Sequence, residues 1–166
     1  MFTNESFRLD GRVALVTGGA HSIGFALGVG LARAGAAVCF NCSNEASRQR
    51  GVEAYAKEGV AVHGYVADVT DEKAVQDLVA RIEQEVGVID ILVNNAGIAQ
   101  QKLLTDITDD DWRRMLDVNL SGAFYVTRAV LSGMIGRKSG SIVNVSSIWG
   151  QVGASCEAHY PPPRRG

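Results

Sequence analysis

Residues Val13–Gly24, VALVTGGAHSIG, pass from a short apolar run into a Gly-rich turn and then into a helical pattern opening near Ser22. A strand that hands over to a helix in this way brings bare backbone close to a bound pyrophosphate. The unpaired N–H groups at the helix start face the negative charge. A tight strand-to-helix turn with no ligand has the same composition, so the turn alone does not decide between the two readings. It does constrain the fold, because a strand followed so tightly by a helix is the opening unit of a parallel sheet covered by helices.

The 166 residues, 46% of them hydrophobic, suffice for one globular domain with a core. Formal net charge is −2 with no blocks of like charge, which points away from nucleic-acid and anionic-membrane partners. The amino end, MFTNESFRLDGR, is too polar for a signal peptide. Val13–Ala32 carries no Asp, Glu, Lys or Arg, yet its glycines, Thr17, His21 and Ser22 fall where a strand meets a helix, so it does not read as a membrane span. A cytoplasmic location and no membrane contact are expected. The three cysteines form no disulfide framework. Cys39 and Cys42 fall at the end of a strand, where their odd spacing turns them to opposite faces as buried thiols, and no metal site is expected.

Strand and helix patterns alternate along the whole chain. A helix over Ile23–Ala34 closes at Gly35. Gly28 and Gly30 inside it cost about 1 kcal/mol each relative to Ala, so close packing on the sheet is expected to hold it. Ala36–Asn41 reads as a second strand, and Asn44 caps a helix running to about Glu58. Val60–Val66 is the third strand; Thr70 is expected to cap a helix to Val86, with Val75, Leu78, Val79, Ile82 and Val86 on one face. Ile89–Val93 is a short apolar fourth strand, as expected of one covered on both faces. Thr108 opens a long helix to about Ile135, and Ser141–Ser146 is the fifth strand. This order predicts an α/β fold, a Rossmann-type doubly wound parallel sheet of about five strands with right-handed crossovers, over residues 1–160.

In such a sheet a dinucleotide lies across the carboxyl ends of the strands, so the residues that follow each strand matter most. After the second strand come Cys42 and Ser43. An acidic residue at position 42 would hold the ribose 2′-hydroxyl of NAD and repel the extra phosphate of NADP, so Cys42 favours NADP(H) over NAD(H). After the third strand, Asp68 and Val69 are placed to contact adenine, or else form a loop before a helix cap. After the fourth, Asn94 and Asn95 with Ala96 and Gly97 can tie neighbouring strands together while letting a ribose approach.

The segments TGGAHSIG, ADVT, NNAG, DVNLSG and NVSSIWG occur in an order and spacing that resemble the short-chain dehydrogenase/reductase family over nearly the whole chain. Ser22 stands where that family usually has its second glycine. The resemblance implies an oxidoreductase that moves a hydride between NAD(P) and a ketone or secondary alcohol. It implies that Gly18, Gly19, Ala20, His21, Ser22, Ile23, Gly24, Cys42, Ser43, Asp68, Val69, Asn95, Ala96, Gly97 and Tyr160 contact the cofactor. It further implies that Asn119, Ser147 and Tyr160 are catalytic, with Asn119 at a helix irregularity. The residue types suit the chemistry: a Ser hydroxyl can hydrogen-bond negative charge developing on a carbonyl oxygen, and a phenol can supply the proton. A phenol with a pKa of about 10 needs a nearby ammonium to act at neutral pH, and the family takes it from a Lys four residues on.

Position 164 is Arg, and Pro161-Pro162-Pro163 follows Tyr160. Prolines disfavour a helix here, and a guanidinium does not readily give up a proton, so little or no turnover is expected from this chain. In the family pattern a further helix, two strands and the substrate cover follow the Tyr. The fifth strand is accordingly expected to be an exposed edge. Residues 161–166 read as a frameshifted tail, with a naturally evolved short variant as the alternative: one coding of Ala-Ala-Ser-Lys-Ala-Gly-Val is GCC GCC TCC AAG GCG GGG GTG, and with an A following, loss of its first G gives Pro-Pro-Pro-Arg-Arg-Gly-stop. Downstream DNA is then expected to encode about 80–100 further residues of the domain.

The first half is similar to gluconate 5-dehydrogenases, and GSIVNVSSIWGQVGASCEAHY is similar to 3-oxoacyl-[acyl-carrier-protein] reductases. The expected partner is thus a small carbonyl or alcohol substrate, a sugar acid or a 3-oxoacyl compound, with the full-length form a homo-oligomer. The alternative is a catalytically inactive nucleotide-binding fragment. His159, beside Tyr160, reads as a solvent-exposed loop residue, and His63 as packing in or near its strand.

Overall fold

The computed structural model describes residues 4–150, 152 and 155–159. Five strands, β1 (Val13–Thr17), β2 (Ala37–Cys42), β3 (Val62–Val66), β4 (Ile89–Asn94) and β5 (Ser141–Asn144), form one sheet in the order β3-β2-β1-β4-β5. All neighbouring pairs are parallel. The chain winds outward from β1 to β3 and then returns to β4 and β5 on the other side. The reversal between β1 and β4 opens a crevice at their carboxyl ends.

Alternation along the strands divides the core in two. Leu15, Cys39 and Leu92 point to the face covered by α3 (Glu72–Glu85) and α5 (Gly122–Arg137). Val16, Val38 and Phe40 point to the opposite face, which α1 (Ser22–Arg33) and α2 (Glu45–Lys57) cover. All five residues of β1 are buried, as a central strand covered on both sides requires. Burying each Leu, Ile or Val side chain of these clusters contributes about 1.5–3 kcal/mol, enough in sum to outweigh modest helix propensity in α1. Cys39 and Cys42 lie in different clusters on the two faces, as their spacing predicts.

Four expectations need correction. The helix after β3 is capped by Asp71, whose carboxylate accepts from the amides of Lys73 and Ala74 at 2.9 and 3.1 Å. Thr70 is not its cap, because its amide and hydroxyl are already bound to Asp68 Oδ1. Gly28 packs against α2, not the sheet, since a Cβ there would lie 2.0 Å from the Tyr55 hydroxyl; a Cβ on Gly30 would meet nothing within 4 Å. The long helix from Thr108 is interrupted: α4 (Asp109–Leu116) passes through a π-turn at Asp117–Ser121 into α5. His159 is 1% exposed. His63 does lie in β3, but with its side chain exposed.

Candidate functional site

A cleft of about 960 Å³ opens at the carboxyl ends of β1, β2, β3 and β4. Its lining includes Gly18, His21, Ser22, Ile23 and Gly24 from the first turn, and Cys42, Ser43, Asp68 and Val69 from the next two strand ends. Asn95, Ala96 and Gly97 complete the predicted set. Gly19 and Ala20 are not part of that lining. Ala20 is buried with Phe40 and Tyr55, and a Cβ on Gly19 would lie 2.6 Å from Phe40 Cβ, so this half of the turn faces the protein interior.

The turn is held from several directions. Gly18 has φ +63°, a backbone conformation glycine adopts without a Cβ penalty. Its amide donates to Asn41 Oδ1 at 3.3 Å, and the Gly19 amide donates to the Asn41 carbonyl at 3.2 Å. The Asn41 amide in turn donates to Ala67 O at 2.9 Å, joining the ends of β1, β2 and β3. Beneath the turn, the Tyr55 hydroxyl donates to Gly19 O at 2.9 Å. Burial pushes that phenol up to about 12, so it stays a donor across the physiological range.

Asn95 ties β4 to the same turn. Its side-chain amide donates to Thr17 O at 2.9 Å, while the amides of Asn95 and Ala96 both donate to Thr17 Oγ1 at 2.9 Å. Gly24 must be small because a Cβ there would lie 2.5 Å from both Asn95 Nδ2 and Gly18 O. At the adjacent edge the Asn94 amide donates to Thr127 Oγ1 and Asn144 Oδ1, each at 2.9 Å, linking β4 to α5 and β5. The His21 side chain makes no capping hydrogen bond to the backbone of α1, so it does not compete for the first-turn N–H groups beside the cleft. That is the arrangement an anionic group needs.

Cys42 is buried at the cleft wall, its thiol donating weakly to Asn44 O at 3.3 Å; burial raises its pKa. Asp68, exposed, forms a local turn with Thr70. Asn119 is 5% exposed within the π-turn. It clasps Ile98 by both backbone groups, accepting from its amide at 2.8 Å and donating to its carbonyl at 2.9 Å. Asn119 and Ser146 also border a second recess of about 310 Å³ between α5 and β5. Ser147 is half-buried just beyond β5, where its Oγ accepts from the Trp149 amide at 3.2 Å. Tyr160 and residues 161–166 lie outside the described residues.

Sequence reasoning did not single out Thr17, Asn41 or Tyr55 as parts of this site, nor Asp110, Arg113, Arg114 and Asp117, which form its charged far wall. Asn41 carried a signal, as a polar residue ending an apolar strand. Tyr55 carried none, because its role depends on α2 crossing behind the turn. Among the described residues, no group of His, Cys, Asp and Glu could hold a metal ion, and no helix is long and apolar enough to cross a membrane.

The short chain dehydrogenase family matches residues 12–162. Gluconate 5-dehydrogenase of Gluconobacter oxydans is 41% identical over 156 residues, which cover 94% of this chain and 61% of that protein. The 3-oxoacyl-[acyl-carrier-protein] reductase FabG of Thermotoga maritima is 38% identical over 163 residues, covering 96% and 65%. Among solved structures, a gluconate 5-dehydrogenase from Burkholderia cenocepacia J2315 in complex with NADP and tartrate superposes with a TM-score of 0.89. It is 40% identical, with 97% of this chain and 63% of that one covered. The chain thus spans less than two thirds of the length of these relatives. With its parallel sheet, its strand-end cleft and this match over most of its length, the chain belongs to the short-chain dehydrogenase family.

Proposed function

We propose that the cleft binds a nicotinamide dinucleotide, NADP(H) in preference to NAD(H). The corresponding activity is hydride transfer between that cofactor and a ketone or secondary alcohol of a sugar acid or 3-oxoacyl compound. The observation that carries this reading is the start of α1, where no cap side chain claims the N–H groups and Gly18 and Gly24 leave bare backbone at the cleft. The residues fit such a group: His21, Ser22 and Gly18 for its pyrophosphate, Cys42 and Ser43 for a ribose, Asp68 and Val69 for adenine, and Asn95 to Gly97 for the second ribose. Gly19 and Ala20 contribute by shaping the turn from within.

The cofactor, when bound, supplies or accepts the hydride. Ser147 hydrogen-bonds the substrate oxygen, Tyr160 exchanges a proton with it, and Asn119 fixes the loop at Ile98 beside the cleft. The sequence Tyr160-Pro161-Pro162-Pro163-Arg164 favours a second reading for this chain, cofactor binding without turnover.

Titrating the purified chain with NADPH and NADH, followed by quenching of its tryptophan fluorescence, tests both readings. Saturable binding is expected, at least as tight for NADPH as for NADH. Cys42→Asp is expected to move the ratio about tenfold towards NADH, roughly 1.4 kcal/mol. Absence of binding to either cofactor removes the oxidoreductase reading, and an unmoved ratio removes Cys42 as selector.

A further inference from the structure

Most arginines of the described residues are held by a carboxylate, as Arg33 is by Glu58, Arg48 by Glu45, Arg81 by Glu85 and Arg128 by Glu72. Arg50 is not. Its Nη2 donates to the Ser47 hydroxyl oxygen at 3.1 Å, and among the described residues no carboxylate pairs with it. The two residues lie three apart on α2, one helical turn from each other on the same face. Ser47 lines the cleft, so this bond carries the guanidinium to the cleft rim beside the end of β2.

The side chains around Arg50 offer donors. The Ser47 hydroxyl accepts from Arg50, and the Ser43 hydroxyl, also in the cleft lining, accepts from the Asn44 side-chain amide at 3.4 Å. Both hydroxyl protons are left to be given away. The Ser47 backbone amide is already taken by Asn44 Oδ1 at 2.9 Å, so the donors here are side chains and not the end of the helix. A guanidinium and two hydroxyls suit a group whose oxygens only accept.

The carboxylates of the cleft stand elsewhere. Asp68 follows β3, while Asp110 and Asp117 belong to α4 and the π-turn. Glu45, the acid nearest to Ser47 in sequence, is clasped by Arg48, whose Nε donates to its two oxygens at 2.9 and 2.8 Å. The corner between β2 and α2 is thereby left with a positive balance. The Cys42 thiol at the same wall registers it: burial raises its pKa, and the charges of Arg48 and Arg50 oppose that rise.

We propose that Arg50, with Ser47 and Ser43, binds the phosphate that distinguishes NADP(H) from NAD(H). The proposal rests on the reading of the cleft as a dinucleotide site, in which Cys42 and Ser43 meet the ribose that carries this phosphate. A phosphate monoester brings about 1.5–2 negative charges at neutral pH, and a guanidinium answers them with a fork of N–H donors. Cys42 admits the phosphate by carrying no charge, and Arg50 attracts it. The residues directly after β2 contain no cation, and only the winding of α2 returns one to the strand end.

The test uses the full chain and needs no turnover. Arg50→Gln is expected to weaken NADPH about tenfold and NADH by less than about twofold. Adenosine 2′,5′-bisphosphate and 5′-AMP, titrated by calorimetry, are expected to repeat that contrast without the nicotinamide half. Ser47→Ala, which loses a hydroxyl and frees the guanidinium, is expected to cost NADPH about threefold. In the native chain Kd is expected to rise more steeply with salt for NADPH than for NADH, and Arg50→Gln is expected to bring the two slopes together. Arg114 also lines the cleft, on α4, with no carboxylate partner among the described residues. Arg114→Gln is expected to move both cofactors alike. An NADPH-to-NADH ratio that Arg50→Gln leaves unmoved, or that Arg114→Gln shifts instead, would overturn the proposal. If Arg50→Gln unfolds, seen as a lost melting transition, the Ser47→Ala ratio decides in its place. A native chain that binds neither cofactor ends the dinucleotide reading and this site with it. One that binds both, with a ratio indifferent to Arg50, removes this site alone.

Discussion

Ser22 opens α1 at φ +53°, in the left-handed region that a side chain makes costly. The family pattern that the sequence resembles has a glycine at this position, and that angle accounts for it, because only glycine adopts it without a Cβ penalty. Ser22→Gly is expected to raise the unfolding free energy by about 0.5–1 kcal/mol, less than the full backbone cost because glycine also gains freedom in the unfolded chain. Urea denaturation followed by circular dichroism checks this. A lower midpoint would mean that the Ser22 Oγ contact with His21 Nδ1, at 3.1 Å, matters more than the backbone angle. The roles of Gly18 and Gly24 were legible as a motif. The reason Gly24 must be small, the approach of Asn95 from a strand some seventy residues away in sequence, was not.

The capping box of α4 shows how one element serves two purposes. The Thr108 hydroxyl accepts from the Asp111 amide at 3.1 Å, while the Asp111 carboxylate returns a bond to the Thr108 amide. Thr108→Ala is expected to cost about 1 kcal/mol, read from the same denaturation curves. Lys102, Gln100 and Thr108 together hold the Asp111 carboxyl well below the usual carboxylate range. A folded pKa below the unfolded value of about 3.9 means that this contribution is present above the unfolded value and lost as pH falls through the folded one. The stability gap between the native chain and Asp111→Asn should therefore be full at pH 7 and shrink steadily below about pH 4. A gap that stays constant to low pH would show that the charge of Asp111 is not what matters. Thr108 was recognisable as a cap because the sequence that follows it is helical. Asp71 takes the cap position that the sequence suggests for Thr70 because Asp68 captures the threonine, a side-chain choice between two adjacent residues.

At the scale of the molecule, β5 is an edge strand that among the described residues pairs with β4 alone, with three of its four residues exposed. Beside it, α5 exposes Phe124, Leu131 and Ile135, the last 66% exposed. The expectation of an exposed fifth strand is thus met. Apolar surface of this kind favours self-association. Ile135→Lys is expected to lower association of the purified chain, measured by light scattering, while changing stability by no more than about 0.5 kcal/mol. A marked loss of stability would instead show that Ile135 packs within the folded chain.

The amino-acid sequence by itself determined the alternation of strands and helices, the Gly-rich turn at Gly18–Gly24 and the strand-end residues that meet in the cleft. These follow from periods of two and 3.6 residues and from backbone angles, which are local properties. Only the tertiary structure decided that Gly19 and Ala20 face inward, that Tyr55 supports the turn, and that Asn119 clasps Ile98. It also decided that His159 is buried against Gln100 and not exposed in a loop. Each of these rests on a partner tens of residues away in sequence, brought close by the winding of the sheet. No pattern within a single segment records which distant segment will lie against it.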